Sequence, residues 1–337
     1  MTCFFHQFLT INNLIALLTI IIITIIFISI LIRLTTDQYP RILIYKDERF
    51  YLDPISGEHH PLPQLGTIFL SKKHTVTYQD IQPSTHYLSV IVPAYNEQNR
   101  LPTMLDEAID FLEQKSFKYE IIVVDDGSRD KTTQIALGYV QKYGTEKIRV
   151  ITLVKNRGKG GAIRIGILAA RGEYCLFADA DGATKFSEFE KLNHFIQERR
   201  KSYKESIAQR SLFRTFLMWG FHFVVWLLTV KTVRDTQCGF KLFPRTVAQI
   251  LFTHTHIERW AFDVELLLLA ERLQLPIGEI PVEWTEIEGS KIVPVFSWIQ
   301  MGIDVTLIFW NYTIGAYRYP KQPYEKIYGI IMQQPLL

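Results

Sequence analysis

Val90-Ile-Val-Pro-Ala-Tyr-Asn-Glu97, Ile122-Val-Val-Asp-Asp-Gly-Ser128 and Leu176-Phe-Ala-Asp-Ala-Asp-Gly182 share one pattern, an apolar run that ends in acidic and turn-forming residues. Runs suited to buried parallel strands occur at residues 88–92, 120–124, 148–153 and 174–178, with starts 26 to 32 residues apart, the length of a strand–helix unit. Helical patterns fill the intervals at 102–114, 130–143 and 159–171. The spacing predicts an α/β domain with a doubly wound, mostly parallel sheet, which binds ligands at the carboxyl ends of its strands.

That edge is where the chemistry gathers. Glu97, Asp125, Asp126, Asp179 and Asp181 all follow strands there. A single Asp after a strand is ordinary turn chemistry. Five along one edge repel one another unless a cation or a donor-rich ligand sits among them. Asp179 and Asp181, two residues apart where a strand ends, can aim at one hard cation, and Mg2+ or Mn2+ favours such oxygen ligands together with ligand phosphates. The connection Lys155-Asn-Arg-Gly-Lys-Gly-Gly-Ala162 is neither a Walker A loop, since Gly160 follows Lys159, nor a G-x-G-x-x-G fingerprint. Its glycines suit either an anion at a helix start or a tight turn that packs a helix on the sheet.

Outward from this core the chain changes character. Residues 14–32 form a 19-residue run without a charge, long enough to cross a bilayer. No basic n-region precedes it and Arg33 follows directly, so an uncleaved anchor is expected rather than a signal peptide. Arg33, Arg41, Lys46 and Arg49 lie after the span, with no Lys or Arg in the ten residues at the start of the chain, which predicts a cytosolic catalytic domain. Residues 35–86, punctuated by Pro and Gly, read as a connecting segment with short strands at 41–45 and 67–70 and a turn at Asp53-Pro-Ile-Ser-Gly57. The remaining boundaries are an α/β half over 87–195, a second half over 196–295 and a membrane-proximal region over 296–337. Two apolar stretches, 216–230 and 296–319, are candidates for core helices or for contact with a membrane surface.

Composition sets limits. Of 337 residues 48% are hydrophobic and 21% charged, which excludes a disordered chain and a multi-span membrane protein. A net charge of +3 gives no reason to expect a nucleic-acid partner. Cys3, Cys175 and Cys238 lie in unrelated contexts, so neither a disulfide framework nor a zinc site is expected, as befits a reducing compartment.

The motifs at 90–97, 123–128 and 179–181 together resemble the family 2 glycosyltransferases, which use nucleotide sugars on a GT-A-like fold. In the second half, Glu205-Ser-Ile-Ala-Gln-Arg-Ser211, Arg234-Asp-Thr-Gln-Cys-Gly-Phe-Lys241, Glu258-Arg-Trp-Ala-Phe-Asp-Val-Glu265 and Trp284-Thr-Glu-Ile-Glu-Gly-Ser-Lys291 are similar to members that act on dolichyl phosphate. The resemblance implies transfer of glucose from UDP-glucose to that membrane lipid, at the endoplasmic reticulum and with Mg2+ or Mn2+. It also implies that the half over 87–195 binds the nucleotide sugar and the half over 196–295 the acceptor. The alternatives are a mannosyltransferase using the same lipid and an impaired variant that binds UDP-sugar. By motif, Pro93, Ala94, Tyr95 and Glu97 would line the nucleotide and Asp125 or Asp126 would read the uracil. Asp179 and Asp181 would hold the metal, and Lys155, Arg157 and Lys159 would flank the donor.

Asp263 stands where many relatives carry a general base. A phosphate acceptor, whose second pKa is about 6, is already a nucleophile at neutral pH, so Asp263 would orient rather than deprotonate. Arg210, Ser211, Arg234 and Lys241 are the candidates to receive the acceptor phosphate. The resemblance breaks where residues 195–204 run straight into Glu205, because a strand-forming segment of the relatives, ending in Gly-Ser-Arg, has no counterpart. Its loss predicts a slot in the sheet, and Arg199 or Arg200 would have to replace the missing arginine.

Overall fold

The computed structural model describes residues 2–62, 82–198, 224–233, 235–285, 287 and 296–319. Four parallel strands form where the apolar runs were read: β3 (His86–Ala94), β4 (Tyr119–Asp125), β5 (Ile148–Thr152) and β6 (Gly172–Ala178). A shorter strand, β7 (Phe240–Pro244), joins them antiparallel, and the order across the sheet is β5-β4-β3-β6-β7. Ahead of the sheet lie α1 (Thr2–Thr35) and a small hairpin of β1 (Phe50–Leu52) and β2 (His59–Pro61).

Successive residues of a strand point to opposite faces, and both faces here are apolar. Ile91, Ile122, Val124, Ile151 and Phe177 pack against α4 (Lys159–Ala169), α6 (Arg245–Phe252) and α7 (Phe262–Arg272). Val90, Val92, Ile121, Val123 and Leu176 pack against α2 (Leu101–Leu112), α3 (Thr132–Tyr143) and Phe189, the first residue of α5 (Phe189–Glu198). The last helix, α8 (Phe296–Thr313), buries Met301, Val305 and Ile308 in the first of these two clusters.

Two expectations change. The 41–45 piece is not a strand; the strands of the amino-terminal segment flank the predicted turn, where Gly57 has φ +75 and its amide donates to the Asp53 carbonyl. The 67–70 piece lies outside the described residues. There is no slot inside the described sheet, because β7 pairs directly with β6 from Tyr174↔Pro244 to Ala178↔Phe240. A strand from elsewhere could pair only along the outer edges of β5 or β7. The stretch 199–223, with Arg199 and Arg200, lies outside the described residues; of the apolar 216–230 stretch, 224–228 is helical.

One ion cluster sits deep in the sheet. Glu120 on β4 accepts from Arg149 (2.5 Å), Arg171 (2.9 Å) and the Ser89 hydroxyl (2.5 Å), and both Glu120 and Arg149 are buried. Burial alone would raise the Glu120 pKa, but the two guanidinium charges and these hydrogen bonds outweigh it and hold it below 4.5. Its stabilisation is therefore present above the ordinary carboxyl pKa and is lost as pH falls through the lowered folded value. Glu120→Ala leaves Arg149 buried and unpaired and should cost about 3–5 kcal/mol. A thermal midpoint unchanged by the substitution would show that the cluster is not a stability element.

Candidate functional site

The carboxyl edge is built by β3 and β4 locking together. Ala94 is in register with Asp125, and the Asp126 amide donates to the Ala94 carbonyl at 2.8 Å. The turns beyond are cross-tied: the Asn96 amide donates to Ser128 Oγ (2.8 Å), the Arg129 amide to Asn96 Oδ1 (2.8 Å) and the Glu97 amide to Thr132 Oγ1 (2.8 Å). Pro93, Ala94 and Tyr95 end the central strand at this edge, Ala94 buried and the other two half-buried.

Asp125 and Asp126 shape the edge from within. Asp125 accepts from the Ser128 amide (2.9 Å) and the Thr133 hydroxyl. Asp126 accepts the amides of Arg157 (2.7 Å) and Gly158 (2.9 Å), which fixes the connection into α4. Burial is the main reason that its pKa is pushed up to about 7.

The three cations expected around the donor part company. The Arg157 guanidinium is tied to buried Glu48 and to the Leu43 carbonyl, and it lies with Lys155 over the Tyr45 ring. Lys159 alone reaches the metal-type carboxylates, with Nζ 2.7 and 2.9 Å from the two oxygens of Asp179 and the Trp260 ring above it. Burial works against the Lys159 charge, but Asp179 and Asp263 raise its pKa and keep it protonated.

The glycines before and within α4 resolve in favour of packing. A Cβ on Gly158 would stand 2.8 Å from the Glu258 carbonyl, and one on Gly160 would stand 2.6 Å from Phe262. The Gly161 amide already donates to the Glu258 carbonyl at 3.0 Å. The loop is a close helix contact rather than an anion cradle.

Asp181 accepts the Ala183 amide (3.0 Å) and stands 3.9 Å from Arg100, whose guanidinium grips Glu97 at both oxygens (2.5 and 2.7 Å). Burial and the nearby Asp179 raise the Asp181 pKa. Arg100 was missed in the sequence, although an acid and a base three residues apart at a helix start is a recognisable pair. Glu97 thus positions Arg100 beside the carboxylate pair. Gly239 was missed as well: its carbonyl accepts the Asp179 amide, and a Cβ there would fall 2.0 Å from Asp179 Oδ2.

Lys241 is held from three sides. An ammonium has three donors, and its Nζ spends them on the carbonyls of Thr236 (3.0 Å) and Cys238 (2.6 Å) and on Asp263 (2.9 Å). In this structure all three donors are engaged within the protein. Asp263 is buried, and burial raises its pKa against the pull of Lys241 and Lys159. Arg210, Ser211 and Arg234 lie outside the described residues.

Comparison with solved structures places this architecture. The M. tuberculosis glucosyl-3-phosphoglycerate synthase crystal structure is similar with a TM-score of 0.50, at 20% identity, over 71% of this chain and 83% of that one. The fold is GT-A-like, and a family model, Glycosyl transferase family 2, matches residues 89–251. Two relatives are nearer in sequence. A dolichyl-phosphate β-glucosyltransferase of Drosophila melanogaster is 51% identical over 311 residues, covering 86% of this chain and 90% of its own length. One of Homo sapiens is 50% identical over 310 residues, covering 86% and 91%. The chain belongs to the family 2 glycosyltransferases, and within them to the dolichyl-phosphate β-glucosyltransferase family.

Proposed function

We propose that the protein moves glucose from UDP-glucose to dolichyl phosphate with inversion, giving dolichyl β-D-glucosyl phosphate. The reading takes its substrates from the names of the relatives. The observation that supports it is the engagement of Asp263, which is buried and holds Lys241 at 2.9 Å, a positioning role rather than that of a free base. A phosphate acceptor needs no such base, since its second pKa is about 6. One of its oxygens attacks glucose C1, the bond from C1 to the UDP oxygen breaks, and the electron pair leaves with UDP.

In this reading Pro93, Ala94, Tyr95 and Glu97 flank the nucleotide, with the Asp125–Asp126 turn at the base. Lys159 keeps positive charge beside Asp179. Asp179 and Asp181 fit Mg2+ or Mn2+: two neighbouring carboxylates, without a third acid or imidazole clustered on them among the described residues, suit an ion that completes its shell with phosphates and water. Such an ion would neutralise charge on the departing diphosphate. Arg210, Ser211 and Arg234 remain the proposed acceptor contacts. We place the protein in the endoplasmic reticulum membrane, anchored by the apolar helix 13–35 with the catalytic domain cytosolic, on the strength of the basic residues that follow the anchor.

The test is turnover by the full chain in vesicles with dolichyl phosphate. UDP-glucose should be consumed, GDP-mannose should not, and a chelator should stop the reaction until Mg2+ or Mn2+ is restored. Equal use of GDP-mannose would overturn the sugar assignment; full activity in chelator would overturn the metal.

A further inference from the structure

The α8 helix has eighteen residues and a single charged one, Asp304. A surface helix of a water-soluble domain usually carries its charges outward. Here the charge is inside: Asp304 is fully buried and accepts from Arg259 (3.2 Å) and Gln300 (3.0 Å). The outward face is apolar instead. Phe296, Ile299, Ile303 and Leu307 are 77, 58, 50 and 43% exposed, and spacings of three, four and four residues put them in one stripe. At 1.5 Å per residue the stripe from Phe296 to Leu307 is about 17 Å long, on a helix of about 27 Å.

The carboxyl end of α8 meets the end of the anchor. The Arg33 guanidinium carbon lies 4.0 Å from where a Cβ on Gly315 would be, just past α8. The Arg318 amide donates to the Gln38 carbonyl at 3.1 Å, and the Tyr39 ring touches His254. In α1, residues 13–35 are apolar and none of that span is buried by protein, so lipid is the surrounding it suits. The carboxyl end of α8 is thus held where such an anchor ends, the apolar stripe runs back along the helix from there, and the two arginines at the junction suit anionic headgroups.

We propose that the outward face of α8 is a bilayer-seating surface, with Phe296, Ile299, Ile303 and Leu307 lying in the headgroup layer of the membrane that α1 crosses. The inner face of the same helix borders the site. Met301 receives Gln237, two residues before Gly239, and Asp304 holds Arg259, the neighbour of the Trp260 that covers Lys159. Seated in this way, the site stands at the depth where a lipid-borne phosphate sits.

The inference rests on the reading of α1 as an anchor, and the experiment separates the two. The full chain is placed in phosphatidylcholine vesicles containing radiolabelled lipid, with p-benzoylphenylalanine at Ile22, Ile299, Ile303 or Glu190, and irradiated. Glu190 is an exposed control on α5, which packs on the opposite face of the sheet. Lipid adducts at Ile299 and Ile303 should match those at Ile22 and exceed those at Glu190 by at least about tenfold. Adducts at Ile22 alone would overturn the seating surface and leave the anchor standing. Adducts at none of the three would overturn both. Products of twice the chain mass from Ile303 would assign the stripe to a second copy, and cross-links within the chain would assign it to the protein itself; either result overturns the proposal. The readout needs no turnover, so it is independent of the glucosyl-transfer reading.

Discussion

Replacing Asp181 with asparagine is expected to remove transfer while leaving the fold intact. The carboxylate is half-buried beside Asp179, and both burial and that neighbour raise its pKa, so its charge is a cost to the folded chain. Arg100 approaches only to 3.9 Å, whereas Arg100 and Glu97 make a complete bidentate pair that the substitution leaves alone. Asparagine preserves size and can still accept the Ala183 amide. In the proposed reaction, what is lost is the negative charge that holds the cation against the leaving diphosphate. Removal of one preorganised electrostatic group from an active site typically costs about a hundred- to a thousandfold in rate, and loss of the cation itself would cost more. The measurements are the transfer rate, the thermal midpoint and the metal concentration for half activity. A midpoint unchanged or raised, together with a rate down by those orders of magnitude, is the expected result. Transfer within about threefold of the parent would remove Asp181 from the mechanism, since that corresponds to less than about 1 kcal/mol of barrier.

Gly239→Ala should be nearly as damaging for a different reason. Gly239 does not have a positive φ, so alanine is compatible with the backbone there. The obstacle is one side chain: the new Cβ would fall 2.0 Å from Asp179 Oδ2 and 2.4 Å from its carboxyl carbon. Asp179 is partly exposed and can rotate away, but doing so breaks its 2.7 Å pair with half-buried Lys159. The expected outcome is a fall in transfer of about a hundredfold, or roughly 2.7 kcal/mol of transition-state stabilisation. The diagnostic is non-additivity. If alanine acts by displacing Asp179, the Gly239→Ala and Asp179→Asn double variant should be no worse than Asp179→Asn alone. Losses that multiply would assign the effect of Gly239 to something other than Asp179.

Much of this site was legible because a buried parallel strand writes a continuous apolar run and a strand end writes its turn. β3, β4 and β6 were read from that signal together with the acids that follow them. β7 was not: its Phe-Lys-Leu-Phe-Pro is five residues long, far from its pairing partner in sequence and amphipathic only in part. The amino-terminal hairpin was misplaced because its strands are three residues each, too short for periodicity to register. The individual roles of like charges were the least legible. Lys155, Arg157, Lys159 and Lys241 are equivalent as letters, and the fold distinguishes them by giving Glu48 to Arg157, Asp179 to Lys159 and two carbonyls with Asp263 to Lys241. Those partners lie up to 109 residues away, and no local pattern encodes them.

Glu48 carries a lesson about where the working unit begins. It lies outside the stretch 89–251 that the family model matches, in a part of the chain that reads as a tether. Yet it is fully buried, it accepts the amides of Tyr45 and Val154, and it pins the Arg157 side chain while the Arg157 amide is bound by Asp126. The segment that follows the apolar helix is thus keyed into the connection that leads to α4 at the carboxyl edge of the sheet. A protein trimmed to residues 89–251 would carry an unneutralised guanidinium and a slack connection into α4. The natural place to cut is between the anchor and residue 41, so that the keystone travels with the arch.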